Sequence, residues 1–149
     1  MSHRILLLES IHPVAEQILV GSGHQVERES GALAGSSLVQ RVRGSQLLGL
    51  RSKTELRSDL FSACPDLMAV GAFCIGTNQI DLEASQRAGI VVFNAPYSNT
   101  RSVAELVLGE IIMLSRQVME RSMAAHRGDW RAPRRGSAPR GPARSGPAR

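Results

Sequence analysis

Between Val70 and Glu105 the chain reads VGAFCIGTNQIDLEASQRAGIVVFNAPYSNTRSVAE, in which short apolar runs alternate with segments of helical spacing. Ala69–Phe73 is a short, apolar run of the kind expected for a strand buried on both faces, and Ile90–Phe93 reads as the next strand. Asp81 stands at an N-cap position, Leu82–Ala88 carries the helical pattern, and Gly89 suits the left-handed stop. Strand, helix and strand in that order require a parallel sheet, because the crossover helix returns the chain to the same edge. Ligands of such sheets bind beyond the carboxyl ends of the strands, which places the expected chemistry in the loops after Phe73 and Phe93.

The alternation extends back to the N-terminus. Ile5–Leu8 reads as a first strand, and Pro13 opens a helix with Val14, Ile18 and Leu19 on one face, ended by Gly21-Ser22-Gly23. A strand near Gln25–Glu27, a helix near Ser37–Arg43 and a strand at Leu47–Leu50 follow, and Thr54 is placed to cap a helix through Phe61. Five strands alternating with helices predict an α/β domain, a flavodoxin-like open parallel sheet with helices on both faces. Cys64 and Cys74 are too few for a disulfide framework or a zinc site and read as core thiols, and no metal site is expected.

Ser102–Val118 predicts one long helix whose apolar residues, from Val103 to Leu114, cover most of its circumference. A helix of that kind is buried on several sides and needs a second packing partner, either a further domain or a second copy. From Ala132 the composition falls to Arg, Pro, Ala, Gly and Ser, with four prolines and three glycines in eighteen residues, and a basic, disordered tail is expected. All five residue types have G- and C-rich codons, which suggests an out-of-frame translation. The net charge of +5 resides entirely there: the tail holds five arginines and no acid, and the remaining 13 basic and 13 acidic residues cancel. With no aromatic side chain to stack on bases, the tail points to no specific nucleic-acid partner. Ile5–Leu8 is too short for a signal-peptide core and no run approaches the ~18 apolar residues of a membrane span, so a cytoplasmic location without a membrane partner is expected.

The candidate site residues sit at strand ends and at one helix start. Arg51 follows Leu47–Leu50 directly, beside Ser52 and Lys53, and a planar guanidinium with neighbouring donors suits a phosphate or carboxylate. Ile75 and Gly76 begin the next loop, where a glycine lets a ligand approach the backbone and free N–H groups can hold a carboxylate. Asn99, Arg101 and Ser102 open the long helix, and an Asn or Ser there also serves as an N-cap. His126, with Asp129 near by, reads as the solvated end of that helix. The GxG at Gly21–Gly23 follows a helix and has Val26 where a third glycine is required, so it fails as a dinucleotide fingerprint.

IGTNQIDLEASQRAGIVVFNAPYSNTRSVAELVLGE, with LLLES-IHP before it, GLRSKTEL in the middle and AHRGDW at the end, resembles the D-2-hydroxyacid dehydrogenases from about Arg4 to Trp130. The likeness is greatest to the branch that oxidises 3-phosphoglycerate in serine biosynthesis, with a glycerate- or lactate-type member as the alternative. It implies a substrate-binding domain over residues 1–100, an interdomain and dimerisation helix over 101–131 belonging to an NAD-binding domain, and a departure from the family over 132–149. It further implies that Arg51, Ser52 and Lys53 meet the anionic substrate and that the Ile75–Gly76 loop holds its carboxylate. Asn99, Arg101 and Ser102 would face the cleft, and a homo-oligomer would form through the 102–118 helix. NAD is the cofactor of full-length members, whose catalytic Arg, Glu and His lie on the NAD-binding domain beyond the end of this match. No catalytic or cofactor-binding residue is therefore expected here, and the chain reads as an inactive fragment.

Overall fold

The computed structural model describes residues 2–129; Trp130 and the basic tail lie outside the described residues. Residues up to Ser98 form one compact unit and the described residues from Asn99 a second. In the first, β1 (Arg4–Leu7), α1 (Pro13–Gly21), β2 (Gln25–Arg28), α2 (Gly35–Val42), β3 (Leu47–Leu50), α3 (Ser58–Ala63), β4 (Ala69–Ala72), α4 (Leu82–Arg87) and β5 (Val91–Asn94) alternate. The sheet order is β2-β1-β3-β4-β5, and every pairing is parallel.

Side chains alternate across each strand, so the register sorts them into two cores. Leu6, Leu48 and Val70 are aligned across the sheet and pack with Leu38 and Val42 of α2, Leu60 and Phe61 of α3, and Ala84 of α4. On the other face Ile5, Leu7 and Ile11 meet Ala15 and Leu19 of α1. That second face is covered only beside α1. Leu7, Gly49, Gly71 and Phe93 are aligned on it, and Phe93 and Val91 are exposed. A largely apolar hollow of about 260 Å³, lined by Leu47, Gly49, Gly71, Phe73 and Phe93 among others, lies over this half of the sheet.

Local chemistry explains the boundaries. Asp81 caps α4 as expected, its Oδ1 accepting the Ala84 N–H at 2.9 Å, and Gly89 takes φ +71° beyond the helix. Cys64 is a buried free thiol whose pKa burial pushes up. Three expectations need correction. On α1, Val14 and Ile18 are exposed and only Leu19 of the expected face packs on the core, because the sheet beside them is uncovered. Thr54 caps no helix: it is fully buried, and α3 starts only at Ser58. Between them Leu56 is drawn into a parallel bridge with Ile80, its N–H on the Gln79 carbonyl at 2.8 Å.

The third correction concerns the second unit. Where one long apolar helix was expected over 102–118, there are two, α5 (Thr100–Ser115) and α6 (Val118–His126), separated by Gln117 at φ +51°. The break carries neither Gly nor Pro, so the sequence held no stop signal there. No residue of α5 is buried, and Leu106, Ile111 and Ile112 are exposed. Among the described residues, no helix is long and apolar enough to cross a membrane.

Candidate functional site

Parallel pairing brings the carboxyl ends of β1, β3, β4 and β5 to one edge, and each is followed by a polar residue or loop. After β3, Arg51, Ser52 and Lys53 are exposed while Thr54 turns inward. Arg51 stands between two hollows. One, of about 290 Å³, is polar and is lined by Glu9, Ser10, Ser30, Gly31, Ser52 and Lys53. The other, of about 590 Å³, is mostly apolar and is lined by Ile11, His12, Val14, Ile18 and Phe73. Among the described residues neither Arg51 nor Lys53 joins an ion pair, whereas Arg4, Arg28, Arg41 and Arg57 do. A cation at a strand end with no carboxylate partner keeps its charge available to a ligand.

The loop after β4 is tied to the loop after β3. Gln79 Nε2 donates to the Arg51 carbonyl at 2.7 Å and approaches the Gly76 carbonyl at 3.5 Å, and the Cys74 thiol reaches both, at 3.6 and 3.2 Å. Asn94 Nδ2, at the end of β5, donates to the Ile75 carbonyl at 2.7 Å. These bonds use carbonyls and leave the N–H groups of Ile75 and Gly76 without a protein acceptor among the described residues. A Cβ at Gly76 would meet no atom within 4 Å, so the backbone there faces open space. The structure thus ties the backbone of Arg51, which Ser52 and Lys53 follow, to the Ile75–Gly76 loop.

Glu9 and Gln79 carry signals that were missed. Glu9 is only 6% exposed, and its carboxylate accepts the N–H groups of Lys53 and Thr54 at 3.1 and 2.7 Å. Burial pushes this carboxyl upward, but the donors of Thr54, Lys53 and Arg51 outweigh burial and hold it below the ordinary value. The Thr54 hydroxyl contributes to that field without reaching hydrogen-bond geometry of its own. An acid directly after the apolar run Ile5–Leu8 was the available clue.

The remaining candidates belong to the second unit. Asn99 occupies the N-cap position of α5 but its side chain makes no capping bond, and Arg101 Nε pairs with Glu105 Oε1 at 2.7 Å along the helix. Ser102 is exposed on the first turn. His126 Nδ1 lies 2.8 Å from the Ser122 carbonyl, and Asp129 pairs with Arg127, so the two form no dyad. Among the described residues no group of three or more His, Cys, Asp or Glu could hold a metal.

The GxG at Gly21–Gly23 does not stand where a dinucleotide fingerprint stands. Gly21 ends α1 and Gly23, at φ +86°, precedes β2, so this pair lies at the edge of the sheet opposite the strand ends. A pyrophosphate needs a glycine turn between a strand and a helix N-terminus.

The fold is a parallel α/β sheet with an exposed, cationic loop at its strand ends. The family profile described as "D-isomer specific 2-hydroxyacid dehydrogenase, catalytic domain" matches residues 5–140, and the chain belongs to this family. Its sequence is similar to D-3-phosphoglycerate dehydrogenase of Escherichia coli K12, 48% identical over 128 residues, covering 85% of this chain and 31% of the relative. The chain therefore spans about a third of that relative's length. Among solved structures, a 2-hydroxyacid dehydrogenase of Ketogulonicigenium vulgare matches with a TM-score of 0.69 at 26% identity, over 87% of this chain and 41% of that one. The NAD+-bound 3-phosphoglycerate dehydrogenase of Entamoeba histolytica matches in fold, with a TM-score of 0.64 at 24% identity, over 76% and 39%.

Proposed function

We propose that these residues are the substrate-binding part of a cytoplasmic, NAD-dependent D-3-phosphoglycerate dehydrogenase, which oxidises 3-phospho-D-glycerate to 3-phosphohydroxypyruvate. The observation that supports this reading best is the loop Arg51–Lys53, two exposed cations without carboxylate partners at the carboxyl end of β3. A guanidinium fork with an ammonium beside it suits a dianionic phosphate, and the free N–H groups of Ile75 and Gly76 suit a carboxylate. A substrate held at its two anionic ends leaves its secondary alcohol between them. Removal of the hydride and proton falls to residues outside this stretch. The same reading gives Asn99, Arg101 and Ser102 a substrate-binding role. A glycerate- or lactate-type activity is disfavoured because a substrate without phosphate has less use for the second cation, Lys53.

The test joins a cofactor domain of the family after Trp130 and measures steady-state kinetics with 3-phosphoglycerate and NAD. Arg51→Ala should act chiefly through KM, at a cost of about 2–4 kcal/mol for a desolvated ion pair, because Arg51 binds a part of the substrate that does not react. Arg51→Lys should be tolerated only in part, since an ammonium keeps the charge and loses the fork. An unchanged KM in Arg51→Ala would remove the residue from the site.

The second unit is assigned to a homo-oligomer in which another copy covers the exposed apolar face of α5. Replacing Leu106 and Ile111 by Glu should shift the chain toward monomer in sedimentation velocity. A wild-type chain that already sediments as a compact monomer would exclude this.

A further inference from the structure

We infer that Glu9 is a positioning residue that fixes the Arg51–Thr54 loop and so sets where the two cations stand; the inference rests on the anion-binding reading above and deepens it. Glu9 follows β1 and is buried under a loop that belongs to β3, forty-four residues away at the nearer bond. Two consecutive N–H groups, of Lys53 and Thr54, converge on its two carboxylate oxygens, one on each. Gln79 holds the same loop from its other end, through the Arg51 carbonyl. The backbone between the two cations is thus anchored on both sides by side chains that leave the cations themselves untouched.

The conformation of Glu9 shows that this arrangement is imposed. Glu9 and Ser10 take φ +60° and +50°, a region that non-glycine residues enter at a cost and hold only where the surroundings require it. The surroundings do so here. Glu9 N–H donates to the Gly31 carbonyl at 3.2 Å, Ser10 N–H to Glu29 at 3.4 Å, and Ser10 Oγ to Ser30 at 2.9 Å. One turn therefore binds the loops after β1, β2 and β3 together. Its chemistry also eases a conflict of charge. A free carboxylate lining the polar hollow would repel an incoming anion, whereas one whose oxygens accept backbone N–H groups has its lone pairs turned to those donors and its charge partly screened.

The test uses the full chain, Glu9→Gln, and Asp81→Ala as a control destabilised at the α4 cap, with both loop anchors, Glu9 and Gln79, kept. Amide hydrogen exchange and a titration with 3-phospho-D-glycerate are followed by NMR on each. Glu9→Gln keeps one acceptor and turns a donor toward the other amide. It should speed exchange at Lys53 or Thr54 about 10-fold more than at Leu48 and Val70, whose core amides report opening of the whole fold, the equivalent of one lost charge-assisted bond. It should also weaken 3-phosphoglycerate binding by about 5- to 20-fold, while Asp81→Ala leaves the dissociation constant at the wild-type value. Unchanged exchange at both amides would show that Glu9 does not hold the loop. Faster exchange with unchanged affinity would overturn the positioning role. If the wild-type chain produces no shifts around Arg51 at all, the anion-binding reading fails and positioning falls with it, while the exchange data still decide whether the clamp exists.

Discussion

Gly49 offers the most direct check on how the sheet is packed beneath Arg51. A Cβ built there would lie 2.6 Å from Leu7 Cδ2, 3.1 Å from Phe73 Cε2 and 3.2 Å from Ile11 Cδ1. The first distance is impossible and the other two are tight, so Gly49→Ala forces movement. Phe73 is 45% exposed and can swing aside, whereas Leu7 and Ile11, 2% and 3% exposed, can shift only toward the hollow that each of them lines. Overpacking of a formed core costs about 1–3 kcal/mol, while loss of glycine's freedom in the unfolded chain returns about 0.4–1 kcal/mol, so a net destabilisation of about 1–2 kcal/mol is expected. Leu7→Ala removes the atom that causes the worst clash. In that background Gly49→Ala should become neutral or stabilising, which gives a coupling of about 1–3 kcal/mol between aligned neighbours. Urea unfolding followed by far-ultraviolet circular dichroism on the four proteins measures it. A Gly49→Ala protein as stable as wild type, or the same loss with and without Leu7, would refute the packing described for this face.

Two further outcomes follow from single groups. The carboxyl of Glu9, and that of Glu27 through its bonds to Arg41 and Arg4, are both held below the ordinary value of 4.5. Each therefore contributes stability that is present above that value and lost as pH falls through its lowered one. The midpoint of urea unfolding should drop on that acid limb, less steeply in Glu9→Gln, and 1 M salt should blunt only the exposed Glu27 part; an identical limb in Glu9→Gln would sink the assignment. Asp81→Ala, which removes the bond to the Ala84 N–H, should cost about 0.5–2 kcal/mol by the same unfolding assay, and no loss would show that α4 needs no cap.

The parallel sheet was legible because its evidence-bearing pattern is short-range: Leu47–Leu50 is an apolar run that must be buried, and it forms β3 at those bounds. Arg51 could be placed because it follows that run by one position. What stayed hidden depends on distance in sequence. Thr54 looks like a cap until Glu9 takes its N–H from forty-five residues away, and Leu56 looks helical until Ile80 pairs with it. Gln79 is an unremarkable polar loop residue until the fold sets it under Arg51. The turn at Gln117 was illegible for another reason, since a left-handed glutamine has no sequence mark. Local periodicity names the strands and the loops between them, whereas contacts across the sheet decide which loop residues bind and which ones brace.

The left-handed turn at Glu9 and Ser10 also sets a limit on how this chain can change. Glycine at position 9 would relax a backbone that costs an ordinary residue about 1–2 kcal/mol. It would also delete the only carboxylate that the Lys53 and Thr54 amides meet among the described residues. A more comfortable backbone and a held loop are therefore alternatives at this position. A screen for thermal survival weighs the backbone relief of glycine against the loss of two charge-assisted bonds, whereas a screen for a held Lys53–Thr54 loop retains the strained acid. A library of all substitutions at position 9, read once by thermal survival and once by exchange at the Lys53 and Thr54 amides, should rank glycine higher in the first than in the second.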